Sequence, residues 1–214
     1  MPNADKLLQF LAKCKALKFG SFVTKSGRVS PYFVNMGEVC DGEGISILAS
    51  CYAQIFKEHF AGKADNLFGP AYKGIPLCAA TAAALHKEYG INASFTYNRK
   101  EAKDHGEGGV LVGDTYKEKR RIVIIEDVIT AGTSIEETMR TMSAIPNAEI
   151  TGLIVAIDRR EKLGDGKSAL QQVKEKYGIE THSIASIEDI LKFAPAEHRE
   201  SIEKYRLEWG VKNE

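Results

Sequence analysis

The sequence predicts an α/β protein, with a mostly parallel central sheet flanked by helices and a small lobe at the N-terminal end. Three observations carry this. Short strand-like runs alternate with amphipathic stretches from residue 45 onward, the pattern of successive βαβ units. The runs RIVIIED and ITGLIVAID are apolar at nearly every position, which suits strands covered on both faces. The first 40 residues depart from the alternation and read as an addition to one domain spanning residues 1–214.

The elements follow in order. Residues 3–17 carry apolar positions at Ala4, Leu7, Leu8, Leu11 and Cys14, with Asn3 as cap and Gly20 as the stop. SFVTKSGRVSPYFVNMG reads as two short strands around a turn at Lys25–Arg28. Ile45–Phe56 is an amphipathic helix, NLFGP a short buried strand, and Ile75–Tyr89 an Ala-rich helix with Pro76 in its first turn. INASFTYN and RIVIIED are strands, separated by the interruption RKEAKDHGEGG at 99–109, which is charged, Gly-rich and without apolar period. Thr133–Ile145 is a helix, ITGLIVAID a strand, Gly166–Tyr177 a helix, IETHSIAS a strand, and Ile187–Trp209 mostly helix.

Composition narrows the function classes. Among 214 residues, 43% are hydrophobic and 27% charged, and 29 basic residues balance 29 acidic ones. No global field draws the chain to nucleic acid or to a membrane surface, and no apolar run reaches the roughly 18 residues that span a bilayer. MPNADKLLQF lacks the apolar core of a signal peptide. The cysteines Cys14, Cys40, Cys51 and Cys78 are far apart, without CxxC or paired His/Cys spacing. They read as buried reduced thiols and point to a cytoplasmic protein.

The stretch IVIIEDVITAGTS, 122–134, carries the chemistry. A buried strand ends in Glu126 and Asp127, and the small-residue loop Val128, Ile129, Thr130, Ala131, Gly132 leads to a helix opening with Thr133 and Ser134. Ligands in open α/β sheets sit beyond the carboxyl ends of the strands. A helix N-terminus offers free N–H groups to a phosphate, and the hydroxyls add donors. Two carboxylates would repel that phosphate unless a spacer separates them. A ribose diol on the acids, with its 5′-phosphate on the loop, satisfies both.

IVIIEDVITAGTS resembles the phosphoribosyl-pyrophosphate (PRPP) loop of type I phosphoribosyltransferases. KSGRVSPYFVN, the pair Tyr72–Lys73 in GPAYKGIP, and RKEAKDHGEGG resemble the orotate-specific branch, over nearly the whole chain and in the same order. Two departures are local: Glu126 stands where that branch usually has Asp, and Val34 where a second Phe is common. The resemblance implies the type I phosphoribosyltransferase fold with an N-terminal hood over the base site. It also implies transfer of phosphoribose from PRPP to orotate, giving orotidine 5′-monophosphate and pyrophosphate. It assigns PRPP to Tyr72, Lys73, Arg99, Lys100, Lys103, His105 and the segment from Glu126 to Ser134. Lys103, Glu126 and Asp127 take the catalytic roles, with Lys103 at the leaving group. Orotate falls to Lys25, Phe33, Val34, Thr130 and Arg159. Mg²⁺ is implied, held mainly by PRPP and water with no direct protein ligand, as is a homodimer whose mobile loop completes the neighbour's site. His59, His86, His182 and His198 read as structural, and GEGGVLVG is no dinucleotide fingerprint because it opens no helix. The rival readings are a purine phosphoribosyltransferase and a non-catalytic PRPP-sensing regulator.

Overall fold

The computed structural model describes residues 3–24, 27–103, 109–129 and 133–211, without the side chains of residues 100–103, 109, 133 and 134. Helix α1 (Asn3–Lys13) buries Leu7, Leu8, Phe10 and Leu11. It stops earlier than the sequence suggested. Lys15 turns the chain with φ 61°, and strand β1 (Leu17–Val23) follows. Gly20 therefore does not end the helix. It lies where the pairing of β1 with antiparallel β2 (Val29–Val34) slips between Phe19 and Phe22, so this glycine marks a strand irregularity.

After a single 3₁₀ turn (Met36–Glu38), helix α2 (Gly42–His59) is capped by Asp41, whose side chain accepts from the Gly44 N–H. Strand β3 (Asn66–Gly69) and helix α3 (Gly74–Tyr89) follow, then β4 (Ser94–Lys103) and β5 (Gly109–Gly113). The interruption foreseen at 99–109 is thus largely strand: β4 runs through Lys103, and Lys103 pairs with Gly109. The arms at a sheet edge are held by the backbone ladder, so they need no apolar period, and that is why the sequence showed none. Residues 104–108 lie outside the described residues.

Strand β6 (Arg120–Val128), helix α4 (Thr133–Ser143), strand β7 (Ala148–Asp158), helix α5 (Ala169–Tyr177), strand β8 (Glu180–Ser186), and helices α6 (Ile187–Phe193) and α7 (Ala196–Trp209) complete the chain. The main sheet has the order β5-β4-β3-β6-β7-β8. All its pairings are parallel except β4–β5, and β1–β2 form a separate two-stranded sheet.

The two central strands confirm the two-sided reading. Val123 and Ile125 of β6 and Ile154 and Ala156 of β7 join the core beneath α1, α2, α3 and α7. The intervening Ile122, Ile124, Leu153 and Val155 join the core beneath α4 and α5. Alternate residues point to opposite faces, so each strand must be apolar throughout. The N-terminal segment is not separately cored, because α1 and Tyr32 of β2 belong to the first of these clusters.

Candidate active site at the carboxyl ends of the strands

Strand β6 delivers Glu126 and Asp127 to the carboxyl edge of the sheet. Glu126 is fixed through its backbone: its carbonyl accepts from the Tyr52 hydroxyl of α2 at 2.6 Å. Burial, and then the charges of Asp127 and Glu126, push the Tyr52 hydroxyl far above its ordinary pKa, so it remains a donor. The sequence showed Tyr52 only as one apolar position on a helix face. Asp127 is locked by its own neighbours, with Val128 N–H donating to Oδ1 at 2.7 Å and Lys73 Nζ to Oδ2 at 2.8 Å.

The Lys73–Asp127 bond joins segments 54 residues apart. Its geometry starts at the end of β3, where Gly69 and Gly74 nearly touch. A Cβ on Gly69 would fall 2.2 Å from the Gly74 carbonyl oxygen and 2.5 Å from Cys78 Sγ, so the loop Pro70–Lys73 closes tightly only with glycine there. Asn98 of β4 steadies the same loop by accepting the Ala71 N–H at 2.9 Å, and the Ala71–Tyr72 peptide is cis. Tyr72 is exposed at 68%, and Lys73 opens α3 without a side-chain cap. Asn98 went unnoticed in the sequence; its one signal was its place immediately before Arg99.

A cleft of about 440 Å³ connects this edge with the segment after β2, lined by Met36, Gly37, Asp41, Lys73, Pro76 and Asp127 among others. Below the acids, Val128 packs on one core cluster and Ile129 is buried in the other. Their side chains anchor the start of the loop and leave only backbone for a ligand. Thr130, Ala131, Gly132, Lys25 and His105 lie outside the described residues, as do the side chains of Lys100, Lys103, Thr133 and Ser134. Arg99 is partly exposed on β4.

Arg159 follows β7, but its surroundings differ from those of an open strand end. It is 8% exposed. Its Nε donates to Glu161 Oε1 at 2.7 Å and its Nη2 to the Ser30 hydroxyl at 3.0 Å, while the guanidinium carbon sits 4.4 Å from the centre of the Tyr32 ring. Burial works against its charge and is outweighed by Tyr32 and Glu161, which raise its pKa. Arg159 is thereby brought against β2, the strand that carries Phe33 and Val34. Phe33 is 40% exposed and stacks on Phe22 at 5.5 Å. Val34 packs against the core, so its backbone is the part left to contact a base. Glu161, Ser30 and Tyr32 were not foreseen as Arg159's partners.

The four cysteines are unpaired, and Cys40, expected to be buried, is exposed. It lies in the turn just before the Asp41 cap, beyond the apolar face of α2. No helix among the described residues is long and apolar enough to cross a membrane.

The acid pair at the end of β6 and the lysine set against it lie within residues 41–181, which match the family model of the phosphoribosyl transferase domain. An orotate phosphoribosyltransferase of Clostridium acetobutylicum is 40% identical, the match covering 97% of this chain and 98% of that one. Another, from Thioalkalivibrio sulfidiphilus, is 45% identical over 95% and 97%. The crystal structure of the orotate phosphoribosyltransferase of Francisella tularensis matches with a TM-score of 0.84 at 36% identity, over 95% of each chain. The chain belongs to the orotate phosphoribosyltransferase family.

Proposed function

We infer that the protein transfers the 5-phosphoribosyl group of PRPP to orotate in pyrimidine biosynthesis, releasing pyrophosphate. The observation that carries this is the Lys73–Asp127 bond, which sets a pyrophosphate-binding cation beside a ribose-binding acid at one strand edge. The C1–O bond to pyrophosphate breaks as positive charge spreads over the ribose ring, and an orotate ring nitrogen forms the new bond to C1 as its N–H proton passes to pyrophosphate or solvent. No enzyme nucleophile is required. Catalysis comes from placing the two substrates and neutralising the leaving pyrophosphate.

In this reading Glu126 and Asp127 accept hydrogen bonds from the ribose diol, and the backbone from Val128 to Ser134 holds the 5′-phosphate. Lys73, Tyr72, Arg99, Lys100 and His105 take the pyrophosphate, and Lys103 stabilises its departure. Arg159, Lys25, Thr130 and the backbone of Phe33 and Val34 hold orotate. Mg²⁺ supplies further neutralisation of the pyrophosphate when bound. The donor set suits a metal held by substrate and water, because Asp127 Oδ1 accepts from the Val128 N–H and the acid pair is given to the ribose diol, which leaves an ion little direct ligation. We place the enzyme in the cytoplasm as a homodimer with the hairpin between β4 and β5 reaching the neighbour's site; the family pattern in RKEAKDHGEGG supports that arrangement.

The test is loss of orotate absorbance on mixing enzyme, PRPP and Mg²⁺. Turnover with hypoxanthine or adenine and none with orotate would reverse the substrate assignment.

A further inference from the structure

The loop after β7 turns sharply. Arg160 has φ 48° and its N–H donates to Asp158 Oδ1 at 2.9 Å. Arg159 and Glu161 therefore come together on either side of it. Glu161 Oε1 takes the Arg159 Nε at 2.7 Å, lies 2.6 Å from Arg159 Nη2, and also accepts the Tyr205 hydroxyl of α7 at 2.8 Å. Its other oxygen is 3.5 Å from Arg28 Nη1. Arg28 in turn stacks over the Trp209 ring at 4.4 Å and donates to the Lys162 carbonyl at 3.2 Å. The backbone closes the clasp: Lys162 N–H donates to the Trp209 carbonyl at 2.8 Å and Val211 N–H to that of Arg160 at 2.9 Å.

This arrangement decides which part of Arg159 meets a ligand. Nε and Nη2 are engaged by Glu161 and Ser30, and the guanidinium lies over the Tyr32 ring. Among the described residues Nη1 has no hydrogen-bond or ion-pair partner, and it is the nitrogen left to present. Two guanidinium groups, Arg28 and Arg159, share the single Glu161 carboxylate, so the cluster retains one positive charge for an anionic group. Arg28 also offsets the repulsion that Glu161 would exert on an arriving carboxylate.

We propose that Glu161 is a positioning residue of the base site: it holds Arg159 so that Nη1 faces the carboxylate of the acceptor, and is itself held by Arg28 and Tyr205, in a loop whose neighbours Arg160 and Lys162 are tied to the segment Trp209–Val211. The proposal rests on the reading that Arg159 binds the orotate carboxylate. Full-length enzyme carrying Glu161→Gln, Glu161→Asp, Tyr205→Phe, Arg159→Ala and the Glu161→Gln/Arg159→Ala pair is assayed with each substrate varied, and its thermal unfolding recorded. Glu161→Gln is expected to raise the orotate KM about tenfold and leave the PRPP KM within about twofold, the scale of one charge-assisted hydrogen bond. Glu161→Asp regains part of the loss. Tyr205→Phe shifts the orotate KM in the same direction by less. On the Arg159→Ala background, Glu161→Gln adds nothing to the orotate KM.

An orotate KM that is unchanged or lowered in Glu161→Gln, or a PRPP KM that rises equally, overturns the proposal. So does a full extra penalty in the double variant, which would mean Glu161 acts otherwise than through Arg159. An orotate KM unmoved in Arg159→Ala defeats the underlying reading of Arg159, whereas a rise there with none in Glu161→Gln defeats the proposal alone. Should Glu161→Gln fail to fold, Tyr205→Phe decides: a selective rise in orotate KM supports the clasp and no rise removes it.

Discussion

Lys73 and Arg159 both stand at the carboxyl edge of the sheet, one after β3 and the other after β7, and they are held in different ways. The Lys73 side chain is 62% exposed and reaches the carboxylate of Asp127 from an uncapped helix start. Arg159 is buried, set over the Tyr32 ring and tied to Ser30 and Glu161. An exposed ion pair contributes about 0–1 kcal/mol, so a polyanion displaces Lys73 from Asp127 at small cost. Stripping the partner from a buried guanidinium costs about 3–5 kcal/mol, so Arg159 keeps its partners and accepts a ligand only in the orientation they set. In the proposed reading, the half of the site given to phosphate exchanges partners and the half given to the base selects.

The largest test of that contrast lies in the hairpin from β4 to β5. Lys103→Ala is expected to lower kcat by about 10²–10³, the scale for one donor to developing charge, with little change in orotate KM. Mixed with a chain disabled by Asp127→Asn, it should regain activity after subunit exchange, since shared sites leave one intact site per mixed dimer. Verified heterodimers as inactive as their parents would place the hairpin in its own subunit's site.

Arg159→Ala addresses the other half. Loss of a charge-assisted bond to the orotate carboxylate is expected to cost about 1.5–3 kcal/mol, read as a raised orotate KM with the PRPP KM preserved. An equal rise in both would dissolve the division between halves.

Gly69→Ala probes the backbone beneath Lys73. A methyl group 2.2 Å from the Gly74 carbonyl oxygen must push the loop away, for about 1–3 kcal/mol of stability. Unfolding should begin several degrees lower and the PRPP KM should rise, while orotate binding changes less. Wild-type PRPP kinetics in a destabilised variant would show that the loop's close approach serves folding alone.

The smallest effect is expected far from both halves. His182, near the start of β8, stacks on His59 at 3.7 Å between ring centres. Burial first, and then the His59 charge, lower its pKa, against the pull of Glu180. The unfolded chain then takes up the proton more readily, so this stability is present above the ordinary histidine range and is lost as pH falls through the folded pKa. Urea midpoints of wild type and His182→Gln should converge on acidification, with substrate KM values unaffected by the substitution at neutral pH. A wild type that gains on the variant in acid would reverse the sign.

The sequence by itself determined the strand–helix alternation and the acid pair at the end of β6, because each depends on neighbours along the chain, whereas the lysine after β3 was found through the family resemblance. Continuous apolarity over 122–125 places a two-sided strand, and small residues beside two acids mark its end. Local periodicity could not show Gly20 inside a strand or β4 running on to pair Lys103 with Gly109, since backbone hydrogen bonding to a partner leaves no mark in side-chain pattern. Only the tertiary structure decided which charge meets which. Tyr52 fixes Glu126 from 74 positions away, Ser30 meets Arg159 across 129, and Tyr205 meets Glu161 across 44. Hydrogen bonds and ion pairs act over a few ångströms of space whatever the separation in sequence, so the partners that orient the site exist only once the sheet, the N-terminal hairpin and the last helix have come together.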